Sequence, residues 1–222
     1  MDKALPLLVL IEFEASVATG GAAASTTPSA PSGAASGRDS RARALVAELV
    51  AAQVQLPAQC YAVMARLALR SGDLDAAMEC LKQYLEGIRK LASGGAKEVL
   101  LQYAMAAREL ISLHATRNAS FGCFEDVLAL LHAAPAVGRG YPEHELRWLA
   151  AVAWGNGTHY AQAGDFTWAQ RWVEAALQLV HLSPVLAGHR QVMLAAYNMC
   201  QRRIAEGIMA DKPGLSAFVV GH

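Results

Sequence analysis

Apolar residues return every three or four positions through most of the chain, which is the spacing of helices packed along one face. The clearest instance runs from Leu146 to Pro184. There Leu149, Ala153, Gly157 and Tyr160 form one stripe, and Ala169, Trp172, Val173, Ala176 and Val180 form a second. Between the stripes lies Ala163-Gly164-Asp165-Phe166. The pattern predicts two helices joined by a tight turn. Small residues, Gly157 on one side and Ala169 and Ala176 on the other, mark where the helices approach closely. The order of small residue, aromatic, turn and spaced alanines follows tetratricopeptide logic, with the tryptophan one place off the usual pattern and Pro184 a few residues late. A pair of this kind cannot bury its apolar stripe alone and needs neighbours of the same kind.

The rest of the chain supplies them. Residues 3–17 read as a helix of a first repeat, with Leu7, Leu8, Ile11, Glu12 and Ala15 on a shared stripe. Residues 18–39 are dominated by Ala, Ser, Thr, Gly and Pro without period and read as a disordered loop. Residues 40–208 read as a helical repeat domain. In it Arg41 to Gln55 is a helix with Leu45, Leu49, Ala52 and Leu56 inward, stopped by Pro57. Ala58 to Arg70 and Leu74 to Leu91 form a second clear pair about the turn Ser71-Gly72-Asp73, with Leu74, Ala77, Met78, Leu81, Leu85 and Ile88 as the buried stripe and Ala65 and Ala77 at the close approach. Lys97 to Ala115 is a helix with Leu100, Tyr103, Ala107, Leu110 and either Leu113 or Ile111 inward. Phe124 to His132 is a short helix, and Pro135 to Pro142 is a Gly/Pro loop. Ala187 to Ile208 is a last helix aligned on Met193, Tyr197, Cys200, Ile204 and Ile208, and residues 209–222 are a tail.

The turns set a period. Gly72 and Gly164 stand 92 positions apart, twice 46, and Asn118 lies midway, where a third turn is expected. One step back falls at position 26 in the low-complexity loop, and one step forward at position 210 marks the end of the last helix. The fold expected is all-α: a right-handed α-solenoid of tetratricopeptide-like pairs, about four with a terminal helix. A step near 46 exceeds the usual tetratricopeptide step of about 34 and is closer to the ~40–47 of other helical solenoids.

Composition sharpens this in two ways. Hydrophobic residues make up 54% of the 222 positions and charged residues only 17%, enough for a core and short of charge for a free-standing domain. A surface that docks on other protein accounts for both. Net charge is zero and the pI about 7.1, so nothing draws nucleic acid or anionic lipid over long range. No apolar run approaches the length of a membrane span. Glu12 and Glu14 interrupt the apolar run at Leu5 to Ile11 and argue against a signal peptide. The four cysteines, Cys60, Cys80, Cys123 and Cys200, form no CxxC pair and read as core thiols.

No constellation for catalysis, cofactor or metal binding stands out. The seven histidines are scattered, and Glu143 and Glu145 beside His144 sit at a helix start, where acids complement the helix dipole. No catalytic, cofactor-binding or metal residue is assigned, and a non-enzymatic role is expected. Binding is the better candidate. In tetratricopeptide arrays the first helix of each pair lines a concave groove. Counted from the close-packing residue, those positions are Trp154, Thr158, Ala161 and Gln162 in the fourth pair, and Gln59, Ala62, Arg66, Leu69 and Arg70 in the second, with Arg108 as the third pair's equivalent. An aromatic among arginines suits an extended or acidic partner segment. The competing reading has the arginines merely solvated and Trp154 packed on the next pair. Of the four tryptophans, Trp172 reads as core, and Trp168, off the stripe near the turn, as an exposed contact.

Three segments carry a resemblance. They are Phe121-Gly122-Cys123-Phe124-Glu125-Asp126-Val127-Leu128, Tyr141-Pro142-Glu143-His144-Glu145, and Trp148-Leu149-Ala150-Ala151-Val152-Ala153-Trp154-Gly155-Asn156-Gly157. Together they resemble the C-terminal part of the meiotic tetratricopeptide scaffold family of the Zip-four and Spo-twenty-two type, known in animals as a testis-expressed protein. Leu8-Val9-Leu10-Ile11-Glu12-Phe13-Glu14-Ala15 resembles another segment of that family. The likeness covers roughly 3–17 and 41–205. The low-complexity loop departs from it, as does the lack of the family's long preceding array, which suggests a fragment or a truncated gene. The resemblance implies a scaffold that promotes crossover formation and synaptonemal complex assembly in the nucleus, on meiotic chromosomes. Its implied partners are other crossover and synapsis proteins, with no direct nucleic acid, membrane, small-molecule substrate or cofactor. The alternative is a generic tetratricopeptide adaptor for a peptide of another complex. Chaperone C-termini would need a lysine/asparagine carboxylate clamp that the groove positions lack.

Overall fold

In the computed structural model, which describes residues 4–22, 41–52, 54 and 56–206, every regular element among those residues is a helix. The chain divides into two compact units, Met1–Lys90 and Leu91–His222. That boundary falls inside the stretch expected to be one repeat domain.

The first unit holds α1 (Ala4–Ala22), α2 (Arg41–Ala51), α3 (Ala58–Ser71) and the body of α4 (Leu74–Ala92). Helix α1 packs against both α2 and α3. Its buried face is Val9, Phe13, Ser16 and Val17, whereas Leu7, Leu8 and Ile11 are exposed. The stripe expected to be inward is therefore the opposite face. Both faces are apolar, so periodicity could not choose between them; the only aromatic of the helix, Phe13, lies on the face that is covered. The helix also runs on through residues 18–22, expected to be loop, while the remainder of that loop lies outside the described residues. In α2 the buried pair is Ala42 and Val46, with Leu45 and Leu49 half-buried and Ala52 exposed just past the end. The larger leucines flank the contact, and the smaller side chains sit in it.

Helices α3 and α4 form the expected hairpin. Gly72, at φ +79°, ends α3 in the left-handed conformation that a β-carbon would strain. Its N–H donates to Leu69 O (3.2 Å) and that of Asp73 to Ala68 O (2.9 Å), which satisfies carbonyls at the helix end. The Asp73 carboxylate accepts from Ala76 N (3.1 Å) and starts α4. Ala65 and Ala77 are both buried, as the close-approach reading required, together with Cys80, Leu81, Tyr84 and Ile88. Leu74, placed on the inward stripe, is exposed at the first position of α4, and Met78 and Leu85 are half-buried.

The second unit holds α5 (Lys97–Leu113), α6 (Arg117–Ala133), α7 (Pro135–Gly140), α8 (Glu143–Ala163), α9 (Phe166–Leu182), a 3-10 turn at Pro184–His189 and α10 (Arg190–Ala205). Helix α6 begins a full two turns before the expected Phe124. Thr116 caps it by accepting from Ala119 N (3.2 Å), so Asn118 lies in its first turn and not between helices. The expected Gly/Pro loop at Pro135–Pro142 is largely helix α7. Proline is tolerated at a first helical position, and Val137 and Tyr141 are anchored in the core. Of the last expected helix, residues 187–189 belong to the 3-10 turn and Ile204 is exposed. Met193 and Cys200 are buried, and positions 207–222 lie outside the described residues.

The α8–α9 hairpin is closely packed. Leu149, Ala153 and Gly157 of α8 face Ala169, Trp172, Val173, Ala176 and Val180 of α9, all buried, with Tyr160 half-buried. A β-carbon on Gly157 would stand 2.6 Å from Val173 Cγ2 and 3.2 Å from Val173 N, so only glycine lets α9 approach this closely. Helix α10 packs on α9, and α9 also meets α6.

Candidate functional site

The seven residues singled out for partner binding fall into three surroundings. Arg66 and Arg70 lie on α3 in the first unit, both exposed. Arg66 Nε donates to Ala62 O of its own helix (3.2 Å). Its charge partly offsets the burial that pushes the Tyr84 phenol up. Arg70 occupies the last turn of α3, where a cation complements the C-terminal carbonyls.

Thr158 and Gln162 do come together, on α8 in the second unit. With Gly157 and Ala161 they form one wall of a cleft; Val173 of α9 and Ala196, Met199 and Cys200 of α10 form the other. The walls are apolar, and the room inside is about 10 Å³, that of a single water and far below a small-molecule pocket. Thr158 Oγ1 donates to Gly155 O (2.9 Å), which turns the hydroxyl back onto its own helix. Gln162 is exposed at the rim, and Trp154 is half-buried on the same helix. Burial pushes the Cys200 thiol up, so it is an inert packing group. None of the four cysteines forms a disulfide.

Arg108 and Trp168 sit in two side-chain clusters that hold the second unit together. Arg108 Nη1 pairs with Glu145 Oε1 at 3.2 Å, and its guanidinium lies 4.8 Å from the centre of the Trp148 ring. Glu145, read from sequence as an acid that complements the dipole at a helix start, does lie in the first turn of α8 and is only 4% exposed. Its Oε1 also faces His144 Nε2 at 3.3 Å, while Oε2 and the nearby buried Tyr141 hydroxyl have no hydrogen-bond partner. The Tyr141 phenol is pushed far up by burial and then by Tyr103 and Glu145. Solvent reaches neither orphaned atom, and the cluster ties α5 to α8. Its sequence signal was faint, since a buried glutamate reads like any acid of a first helical turn.

Trp168 is half-buried against α6, away from the cleft. Its ring and that of Phe121 meet edge to face with centres 5.6 Å apart, and the Arg171 guanidinium lies over both, 4.5 Å from Trp168 and 4.4 Å from Phe121. Arg171 Nη2 also pairs with Glu125 at 3.1 Å. Arg171 was not singled out. The signal that could have found it is the spacing itself, because Glu125 and Arg171 are opposite charges 46 positions apart. His132 and Gln178, again 46 apart, meet at 3.2 Å. Two asparagines are likewise engaged across α6 and α8: Arg117 Nε donates to Asn156 Oδ1 (3.0 Å), and the Tyr160 hydroxyl to Asn118 Oδ1.

Compared with protein-family models, with curated proteins and with solved structures, the chain matches none. Among the described residues no group of three His, Cys, Asp or Glu side chains is placed to hold a metal ion, and no helix is long and apolar enough to cross a membrane. Of the seven residues, those not engaged with another helix are thus the exposed arginines of α3, Thr158 and Gln162 on the cleft wall, and the half-buried Trp154.

Proposed function

We propose that the chain is a non-enzymatic protein-interaction scaffold built on a right-handed solenoid of tetratricopeptide-like helix pairs. Its proposed role is in meiotic crossover formation and synaptonemal complex assembly in the nucleus, on meiotic chromosomes, with other crossover and synapsis proteins as partners. The observation that best supports the repeat architecture is the pairing of residues one period apart. Glu125 with Arg171 and His132 with Gln178 join α6 to α9 at the same register, as contacts between the second helices of successive pairs would. The meiotic part of the proposal is carried by the resemblance of the segments at Phe121, Tyr141 and Trp148 to that scaffold family. Neutral net charge and a chain poor in charged residues favour protein over nucleic acid as the partner.

Partner binding is assigned to Arg66, Arg70, Trp154, Thr158 and Gln162. Arg108 and Trp168 are withdrawn from it, because their side chains are engaged within the fold. The test has two arms. The tagged full chain should retain partners from meiotic-cell extract, and Arg66→Glu with Arg70→Glu should abolish that capture while leaving helicity by circular dichroism unchanged. Undiminished capture rejects the α3 assignment. A null allele should lower the number of chiasmata; a normal number would reject the meiotic role.

A further inference from the structure

Helix α1 is apolar on two opposite faces. Val9, Phe13, Ser16 and Val17 are buried in the first unit. Across the helix from them, Leu8, Ile11, Ala15 and Ala18 are all exposed, with Leu7 beside them; Leu7 and Leu8 are each 61% exposed and Ile11 56%. A second apolar face on a helix calls for a second covering partner. The open residues follow one another at steps of three, four and three. That spacing is the seam of a coiled coil, whose complement is another helix laid along it. The large residues lead and the alanines follow, so the seam narrows and lets a partner backbone come close toward its C-terminal part.

The flanks decide which helix. Glu12 and Glu14 are the only charged residues of α1 and are exposed. At 100° per residue they stand about 80° to either side of the seam, the flanking positions that set partner choice in coiled coils. A second copy of α1 brings two more carboxylates and no cation to the same short interface. An anionic bilayer is disfavoured in the same way, since helices that lie on such surfaces carry lysine and arginine beside the apolar face.

We propose that the outer face of α1 docks an amphipathic helix of a partner protein whose apolar seam is flanked by lysine or arginine. This deepens the scaffold reading and rests on it for the partner's being a protein. The surface is separate from the arginines of α3, so either assignment can fail alone.

The experiment measures binding of the full chain to two labelled synthetic helices by fluorescence anisotropy. Both carry one leucine seam at the three–four spacing; one is flanked by lysine and the other by glutamate. The lysine-flanked helix should bind roughly tenfold tighter, the size expected when two charge pairs change from like to opposite. Leu8→Glu with Ile11→Glu should abolish its binding without changing helicity, because both side chains face solvent. Glu12→Lys with Glu14→Lys should reverse the preference. Equal affinity for the two helices, binding untouched by the Leu8 and Ile11 pair, or an unreversed preference overturns the proposal. So does a dimer in sedimentation that the same pair dissolves, or capture by vesicles of mixed phosphatidylcholine and phosphatidylserine, since each identifies a different occupant.

Discussion

The α3–α4 and α8–α9 hairpins share one turn and differ in what lies behind it. Four hydrogen bonds of the first recur in the second, each shifted by 92 positions. Gly164 N donates to Ala161 O (3.2 Å), Asp165 N to Tyr160 O (2.9 Å), Trp168 N to the Asp165 carboxylate (3.1 Å) and Ala169 N to Asp165 O (3.0 Å). The glycines agree as closely, at φ +79° and +81°. Behind the turns the side chains diverge. Where α4 buries Cys80, α9 buries Trp172, which reaches out to Phe121 and Phe124 of α6 with ring centres 4.7 and 4.9 Å away. Where α3 has Ala65, α8 has Gly157. A turn is fixed by a few backbone bonds and repeats intact. The buried register residue answers to whichever neighbour its own pair must hold, so it drifts between copies.

Truncating the register residue tests that directly and should give the largest effect. Trp172→Ala removes two edge-to-face contacts and leaves a large void, at a cost of about 3–5 kcal/mol. Cys80→Ala removes one sulfur and should cost about 1 kcal/mol. Urea unfolding of the two variants reads the difference, and equal losses would mean that Trp172 does no more than fill its own hairpin.

The close approach gives the next effect. Gly157→Ala forces a methyl against Val173 and should destabilise by about 1–3 kcal/mol despite alanine's better helix propensity. Gly155→Ala, two residues along the same helix with nothing within 4 Å of its added carbon, should instead stabilise by about 0.5–1 kcal/mol. Opposite signs at positions 155 and 157 confirm that packing, and not propensity, holds Gly157.

How far these features could be read in advance follows the same division. Both glycine turns, the two hairpins about them and the buried stripe of α9 were legible, because each depends on residues close in sequence. The face of α1 was not. Its Leu7, Leu8 and Ile11 make as good a stripe as Val9, Phe13 and Val17, and only packing against α2 and α3 selects one. The start of α6 was missed because Thr116 caps a helix whose first turn, Arg117-Asn118-Ala119-Ser120, is polar or small. Of the candidate site, Thr158 and Gln162 lie on one wall of the cleft that α8 shares with α9 and α10. The engagement of Arg108 by a buried glutamate 37 positions on depends on a pairing between helices that no local pattern encodes.

The register position also divides the hairpins by pH. Burial, then Glu79 and Asp73, push the Cys80 thiol up to about 12; Trp172 has no proton to lose. Folded Cys80 holds its proton in a range where the unfolded chain has released it. Its contribution is therefore full below the ordinary thiol value, falls as pH rises beyond it, and is gone by about 12. The slope from this one group is at most about 1.4 kcal/mol per pH unit. Unfolding midpoints followed from neutral to alkaline pH should fall less steeply in Cys80→Ala than in the parent. Parallel curves would place the alkaline loss in the other buried thiols and phenols.

The smallest effect tests what the hairpins share. Asp73→Ala and Asp165→Ala each remove one capping carboxylate and should each cost about 1 kcal/mol. Because the geometries match to within 0.1 Å, the two losses should agree with each other while the substitutions at positions 80 and 172 do not. Thermal midpoints suffice to compare them. A cap that matters in one hairpin and not in the other would show that the packing behind the turn, and not the turn, sets the start of its helix. The repetition at 92 positions would then be a likeness of shape without a likeness of energetics.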